Sequence, residues 1–325
     1  MIAELGDRIG DRAEERPQYR YLRPELIALI DDGVEDVRVN VHDRFRPSTQ
    51  VNIGRLPTRK GLRGVAARTA SGPARPPGQV LAYARLLADR VGESLEGRLQ
   101  AAYLHGSAVL GGWLPELSDV DMLFVTENGV GGPEVTEAGA ALAARKPGDP
   151  GRGLECSVVT AGQAGRPRAP WPFLLHVAHD PGQDQARIVD GREQPGDTDL
   201  LMHYTVCRAA GWPVRGPAPA ELIGSVPRPV ILGYLADELR WGIEHAGEAY
   251  AVLNACRAQV YLTDGRIVSK VAGGRIALAR SAAPAGVIGR ALDQQQGRSP
   301  QQGPGPDAAD FVLTVAGALR AAAGA

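Results

Sequence analysis

Three short apolar runs, each with polar residues at fixed places, most narrowly limit what this chain can fold into. They are AAYLHGS (101–107), DVDMLFVT (119–126) and LECSVVT (154–160), separated by connections rich in Gly, Pro and Asp. Runs of that length bounded by turn formers read as strands of one sheet. FLLHVAHD (173–180) reads as a further strand. Side chains two apart on a strand share a face at about 6.5–7 Å, so Asp119 and Asp121 point the same way at the head of the second run.

That pairing has a chemical use. Two divalent ions about 3.5–4 Å apart fit between such carboxylates, neutralise triphosphate charge and stabilise the attacking and leaving oxygens of an in-line displacement. Mg²⁺ prefers hard oxygen ligands and shares its shell with substrate phosphates. Upstream, Gly106 and Ser107 end the first run and open into a helix. Backbone amides there can approach a phosphate, Ser107 adds a hydroxyl donor, and the helix dipole favours an anion. Glu155, at the start of the third run, is the candidate general base for an acceptor hydroxyl, with a third metal-ligand role as the alternative. No GxxxxGK[ST] occurs and no GxGxxG follows a strand, so P-loop and dinucleotide-binding readings lack their defining residues.

Each element alone has a plainer explanation. An Asp-x-Asp pair is commonly a solvated turn or a helix cap, and a lone Gly-Ser is only a turn. The ordered set is harder to explain as structure: strand, Gly-Ser, eleven residues, Asp-x-Asp opening a second strand, then a carboxylate on a third.

A chain of 325 residues has room for two folded domains. The predicted class is α+β, with a small mixed-sheet domain over 77–192 followed by a helical bundle over 193–325. Residues 77–96 read as an amphipathic helix through Val80, Leu81, Ala84, Leu87 and Val91. From 197 the pattern turns helical: DLLMHYTVCRAAG ends on a glycine, and Leu235, Leu239, Ile243, Ala246, Ala249, Leu253, Cys256 and Val260 lie three or four apart. A polar Gly/Pro/Gln loop covers 294–307 and a last helix follows it. Residues 1–76 show little periodicity, and from 37 to 76 nine Arg or Lys stand against Asp43 alone. That stretch reads as a disordered basic extension, as upstream sequence from a start site placed too early, or as a nucleic-acid-binding arm.

Net charge of −1 argues against blanket attraction to nucleic acid or membrane. Cys156, Cys207 and Cys256 match neither a zinc spacing nor a disulfide framework, which fits a reducing cytoplasm. There is no run of eighteen apolar residues and no secretory signal pattern, so the expectation is a soluble intracellular protein.

On these residues the sequence resembles the nucleotidyltransferase superfamily. More narrowly, LHGSAVLGGWLPELSDVDMLFV (104–125), LECSVV and the helical half resemble the aminoglycoside (3'')(9) adenylyltransferases, over about 79 to 320. The second half carries the likeness in DTDLLMH (197–203), VRGPAPAELIG (214–224), AYAVLNACR (249–257) and DGRIVSK (264–270). The resemblance implies a Mg²⁺-dependent transfer of AMP from ATP to a hydroxyl of a streptomycin- or spectinomycin-type drug, conferring resistance. Under it Gly106 and Ser107 hold triphosphate, Asp119 and Asp121 bind Mg²⁺, Glu155 is the base, and Arg257 and Lys270 reach the nucleotide phosphates. Lys270 is one of three lysines in a chain otherwise served by Arg. A compact ammonium suits a mobile triphosphate, the plainer alternative being a solvated surface lysine.

The family's acceptor-holding Trp and acidic residues have no identical counterparts in an ungapped alignment from Arg257. The helix offers Trp241, Glu238, Glu244 and Glu248 instead, suited to a polycationic aminocyclitol or else a solvated face. Asp197 and Asp199 read as helix caps or site residues, and His105 and His203 as packing or surface residues. Two alternatives remain open: the same chemistry on another small molecule or a protein side chain, and a nucleotide-binding regulator working through the basic arm.

Overall fold

Alternation along the apolar runs sends successive side chains to opposite faces, and the resulting sheet is buried on both. A computed structural model describes residues 74–144, 148–179, 185–280 and 284–325, which lie within one compact unit, Gly72–Ala325. Almost all of the 1–76 extension lies outside the described residues. Six strands are arranged in the order β5-β4-β3-β2-β1-β6: β1 (Leu99–Leu104), β2 (Val120–Thr126), β3 (Leu154–Thr160), β4 (Leu175–Ala178), β5 (Arg187–Asp190) and β6 (Trp212–Arg215). Only β2 and β3 run parallel, which makes the sheet mixed.

One face carries Leu104, Met122, Phe124, Cys156 and Val158, packed under α1 (Gly78–Ser94) and α3 (Gly132–Ala143). Val80, Ala84, Leu87 and Val91 of α1 are fully buried there, as their three- and four-residue spacing predicts. Phe124 is wholly buried, and truncating it to Ala would cost about 3–5 kcal/mol. The other face carries Tyr103, Leu123, Val125 and Val159, covered by Leu200, Leu201 and Tyr204 of α5 (Leu200–Ala210) and by Ile231. Asp121 and Glu155 share the parity of this second set, so the helical half faces them. Between these helices come two short ones, α2 (Ser107–Leu110) and α4 (Ala161–Gly165), with α6 (Pro219–Leu222) after β6.

The helical half is α7 (Arg228–His245), α8 (Glu248–Asp264), α9 (Lys270–Ala279), α10 (Ala285–Gln295) and α11 (Pro306–Ala323), around a core of Leu232, Leu239, Val252, Cys256, Ile288, Val312 and Leu319. The apolar repeat from 235 to 260 belongs to two helices. The chain turns extended at Ala246 and Gly247, and the Glu248 amide donates to the Gln302 carbonyl in the polar loop. Gly211 ends α5 in an extended conformation, so it does not supply the left-handed cap that its position suggested. Gly265, which closes α8 at φ +67, does. All three cysteines are buried thiols. Among the described residues no helix is long and apolar enough to cross a membrane.

Candidate active site

Asp121 and Glu155 are register partners on the parallel strands β2 and β3, and Asp119 stands one residue ahead of β2. Neighbouring strands lie about 4.8 Å apart, so these two carboxylates sit side by side at the heads of their strands. Burial, then the negative charge of Glu155 and Asp119, holds the Asp121 carboxyl well above the usual range. The Lys270 ammonium and the Ser107 backbone amide, which donates to it, act in the opposite direction.

Gly106 is required where it stands. Its φ is +64, and a Cβ on it would lie 1.8 Å from Oδ2 of Asp121. The Ser107 amide therefore reaches the carboxylate only because residue 106 has no side chain. Ser107 Oγ is buried and has no hydrogen-bond partner among the described residues. Helix α2 is a single turn of four residues, too short for an aligned dipole of any size. The anion-holding capacity expected here rests on the amide and hydroxyl donors instead.

Asp119 is engaged by Arg152, through Nη2 at 2.8 Å and Nε at 3.3 Å. Sequence reading missed Arg152, which lies in a Gly- and Pro-rich connection, and only the fold brings it back beside Ser118 and Asp119. Gly153 leaves room for the same carboxylate, since a Cβ there would stand 3.0 Å from Asp119 Oδ1. Among the described residues no three His, Cys, Asp or Glu side chains form a ready-made metal cage. The donor set still fits Mg²⁺, which typically takes one or two carboxylates and completes its shell from phosphates and water. A carboxyl held up by burial and by neighbouring carboxylates, as Asp121 is, is the arrangement a hard cation relieves.

The cations come from the helical half. Lys270 opens α9, and its ammonium is pushed down to about 8, by burial first and by Arg257 second, against the pull of Asp121 and Asp119. Its placement follows from two close approaches. A Cβ on Gly112, just after α2, would stand 3.0 Å from Ser269 Cβ, so the Gly-Ser motif and the start of α9 pack directly. A Cβ on Gly273 would stand 2.9 Å from Arg257 Cγ and 3.0 Å from its backbone nitrogen, so α8 and α9 approach closely enough to set Arg257 beside Lys270. Burial lowers the proton affinity of the Arg257 guanidinium, while Tyr250, Asp121, Tyr234 and Glu238 raise it. Asn254 Oδ1 accepts from it at 3.2 Å.

Next to this pair, the Tyr250 hydroxyl donates to Glu238, and the Trp241 ring stacks on His245 at 5.3 Å between centroids. Asp199 accepts from the Tyr234 hydroxyl at 2.6 Å and its side chain makes no helix cap. The four predicted acceptor residues separate. Glu238 and Trp241 belong to the Tyr250 cluster, Glu244 is exposed, and Glu248 is 1% exposed and held by Arg290 and Gln294, each at 3.2 Å. The expectation of an acceptor contact at Glu248 therefore meets a carboxylate already committed to the bundle. His105 is buried with its ring 5.0 Å from that of His203, a packing arrangement beneath the site.

A mixed sheet thus presents paired carboxylates to a helical half that returns Arg257 and Lys270. Residues 222–317 match the family described as aminoglycoside adenylyltransferase, C-terminal domain. Among solved structures, the spectinomycin adenyltransferase AAD(9) from Enterococcus faecialis, crystallised with ATP and spectinomycin, matches with a TM-score of 0.50 at 16% identity. The match covers 75% of this chain and 99% of that one, a likeness of fold. No curated protein matches the sequence.

Proposed function

We propose that this protein transfers AMP from ATP to a hydroxyl of an aminocyclitol drug of the streptomycin or spectinomycin type, inactivating it. The observation that carries the proposal is the opposition of Asp121, with Glu155 beside it, to Arg257 and Lys270 across the boundary between sheet and helical half. Carboxylates and cations so placed suit a triphosphate that must be held at one end and broken at the other. The family match over 222–317 supports the drug class, and so does the nucleotide and drug bound by the structural neighbour.

Asp119 and Asp121 hold Mg²⁺, which supplies charge neutralisation at the transferred phosphoryl group when bound. The Gly106–Ser107 turn, Arg257 and Lys270 hold the β- and γ-phosphates. Glu155 takes the proton from the acceptor hydroxyl as its oxygen bonds to the α-phosphorus. The bond from the α-phosphorus to the bridging oxygen breaks, and pyrophosphate leaves toward Arg257 and Lys270. A drug carrying an added charged adenylyl group no longer fits a target that matched it closely. ATP as donor sets the reaction in the cytoplasm. On this reading the catalytic domain spans 77–192 and the clamping domain 193–325, with α5 and β6 of the latter segment returning to the sheet before the helical half begins at α7.

The test is incubation of the protein with ATP, Mg²⁺ and streptomycin or spectinomycin, followed by mass spectrometry. A drug that gains one adenylyl group while pyrophosphate appears is the expected result. Pyrophosphate release with a different acceptor, and none with any aminoglycoside of a panel, would move the activity to another substrate.

A further inference from the structure

Tyr250 touches both sides of the proposed site. Its ring face lies under the Lys270 ammonium, with Nζ 4.5 Å from the ring centroid. Its hydroxyl donates to the Glu238 carboxylate, and its ring meets Trp241 edge to face at 6.1 Å. The ring also packs on the backbone of α7, since a Cβ on Gly242 would already be 3.4 Å from its Cδ1.

The position of Lys270 calls for such a partner. An ammonium in the first turn of a helix faces the positive end of the helix dipole, and Arg257 adds a second positive charge nearby. Among the described residues Lys270 makes no ion pair within 4.0 Å. An aromatic face attracts the ammonium without neutralising it, so the charge stays available to an incoming phosphate. A carboxylate in the same place would compete with that phosphate.

We propose that Tyr250 is a positioning residue serving both halves of the site: its ring holds Lys270 for the triphosphate, and its hydroxyl orients Glu238 toward the cationic acceptor. This deepens the adenylyltransferase reading and rests on it. Removing the hydroxyl alone disturbs the acceptor side. Removing the ring disturbs both.

The test uses the full chain with Y250F, Y250L, E238Q and K270M. Nucleotide affinity is read by calorimetry with Mg²⁺ and ATP bearing a methylene between its α and β phosphorus atoms, and acceptor KM by steady-state kinetics. Y250F is expected to bind nucleotide within about twofold of the parent and to raise the acceptor KM about fivefold, and Y250F/E238Q to show an acceptor KM no higher than E238Q alone. Y250L is expected to weaken nucleotide about tenfold as well, and Y250L/K270M to bind no more weakly than K270M, because the ring acts through the lysine. A purely structural role would make those effects additive. Y250M, which keeps the volume without an aromatic face, replaces Y250L if that variant shows no cooperative unfolding. Parent-like nucleotide affinity in the ring-less variant, or a parent-like acceptor KM in Y250F, overturns the proposal. If the parent binds nucleotide but adenylylates no drug, the functional reading falls while the nucleotide measurements still decide the role of the ring.

Discussion

Gly106 and Asp121 are in such close contact that a Cβ on the first would lie 1.8 Å from a carboxylate oxygen of the second. The glycine and the acidic pair are therefore one structural unit, although fourteen residues separate them in sequence. G106A is expected to lose stability by about 2–4 kcal/mol, from a left-handed backbone and a displaced carboxylate together. Activity should fall with it. D121A removes the clashing atoms, so G106A/D121A should lose less than the sum of the single variants in urea unfolding. Strict additivity would show that the two residues do not share this contact.

Glu155 stands beside Asp121 in register, and the base role assigned to it requires a carboxylate rather than its shape. E155Q should lower kcat about 10²–10⁴-fold while nucleotide affinity, read by calorimetry, changes little. Turnover like that of the parent would remove Glu155 from the mechanism. Loss of nucleotide binding with turnover would instead favour the metal-ligand alternative.

The carboxylates and strands were legible because their signals are local. The apolar run from Val120 to Thr126 marks β2, and parity along it puts Asp121 on the face that the helical half covers. The Gly-Ser turn was legible too, but its reason was not: contact with Asp121 depends on how β1 and β2 pair. Arg152 escaped because nothing in GRGLE distinguishes an arginine that reaches Asp119 from one in water. The three- and four-residue repeat ran through Ala246 without a break, which concealed the end of α7. For the same reason Glu248 read as part of one acidic helix face with Glu238 and Glu244, whereas it begins the next helix and turns inward.

That inward turn separates Glu248 from Glu244 by experiment. E248A should cost about 1–3 kcal/mol, less than a fully buried pair because Arg290 is half-exposed and regains water. E244A should change stability by less than about 0.5 kcal/mol, as an exposed surface substitution does. Neither variant should alter the acceptor KM of the folded protein. A selective KM increase in E248A would return that residue to the acceptor site.

On the far edge of the sheet, Asp190 accepts from the Arg192 backbone amide at 2.9 Å and from its guanidinium, which lies beside Gly132. Hydrogen bonding from the Arg192 side chain, partly opposed by burial, holds the Asp190 carboxyl below its usual range. A carboxyl with a depressed folded-state value stabilises the fold above its unfolded value of about 3.9 and loses that contribution as pH falls through the folded value. R192M keeps the aliphatic packing and removes the charge. Since Arg192 is half-exposed and solvent screens the pair, the parent should exceed R192M by less than about 1 kcal/mol at pH 7. The gap should narrow as the pH drops below about 4. Urea midpoints at neutral and acid pH measure it, and a gap that stays constant or widens in acid would place the stabilising effect of Arg192 in its packing against Gly132.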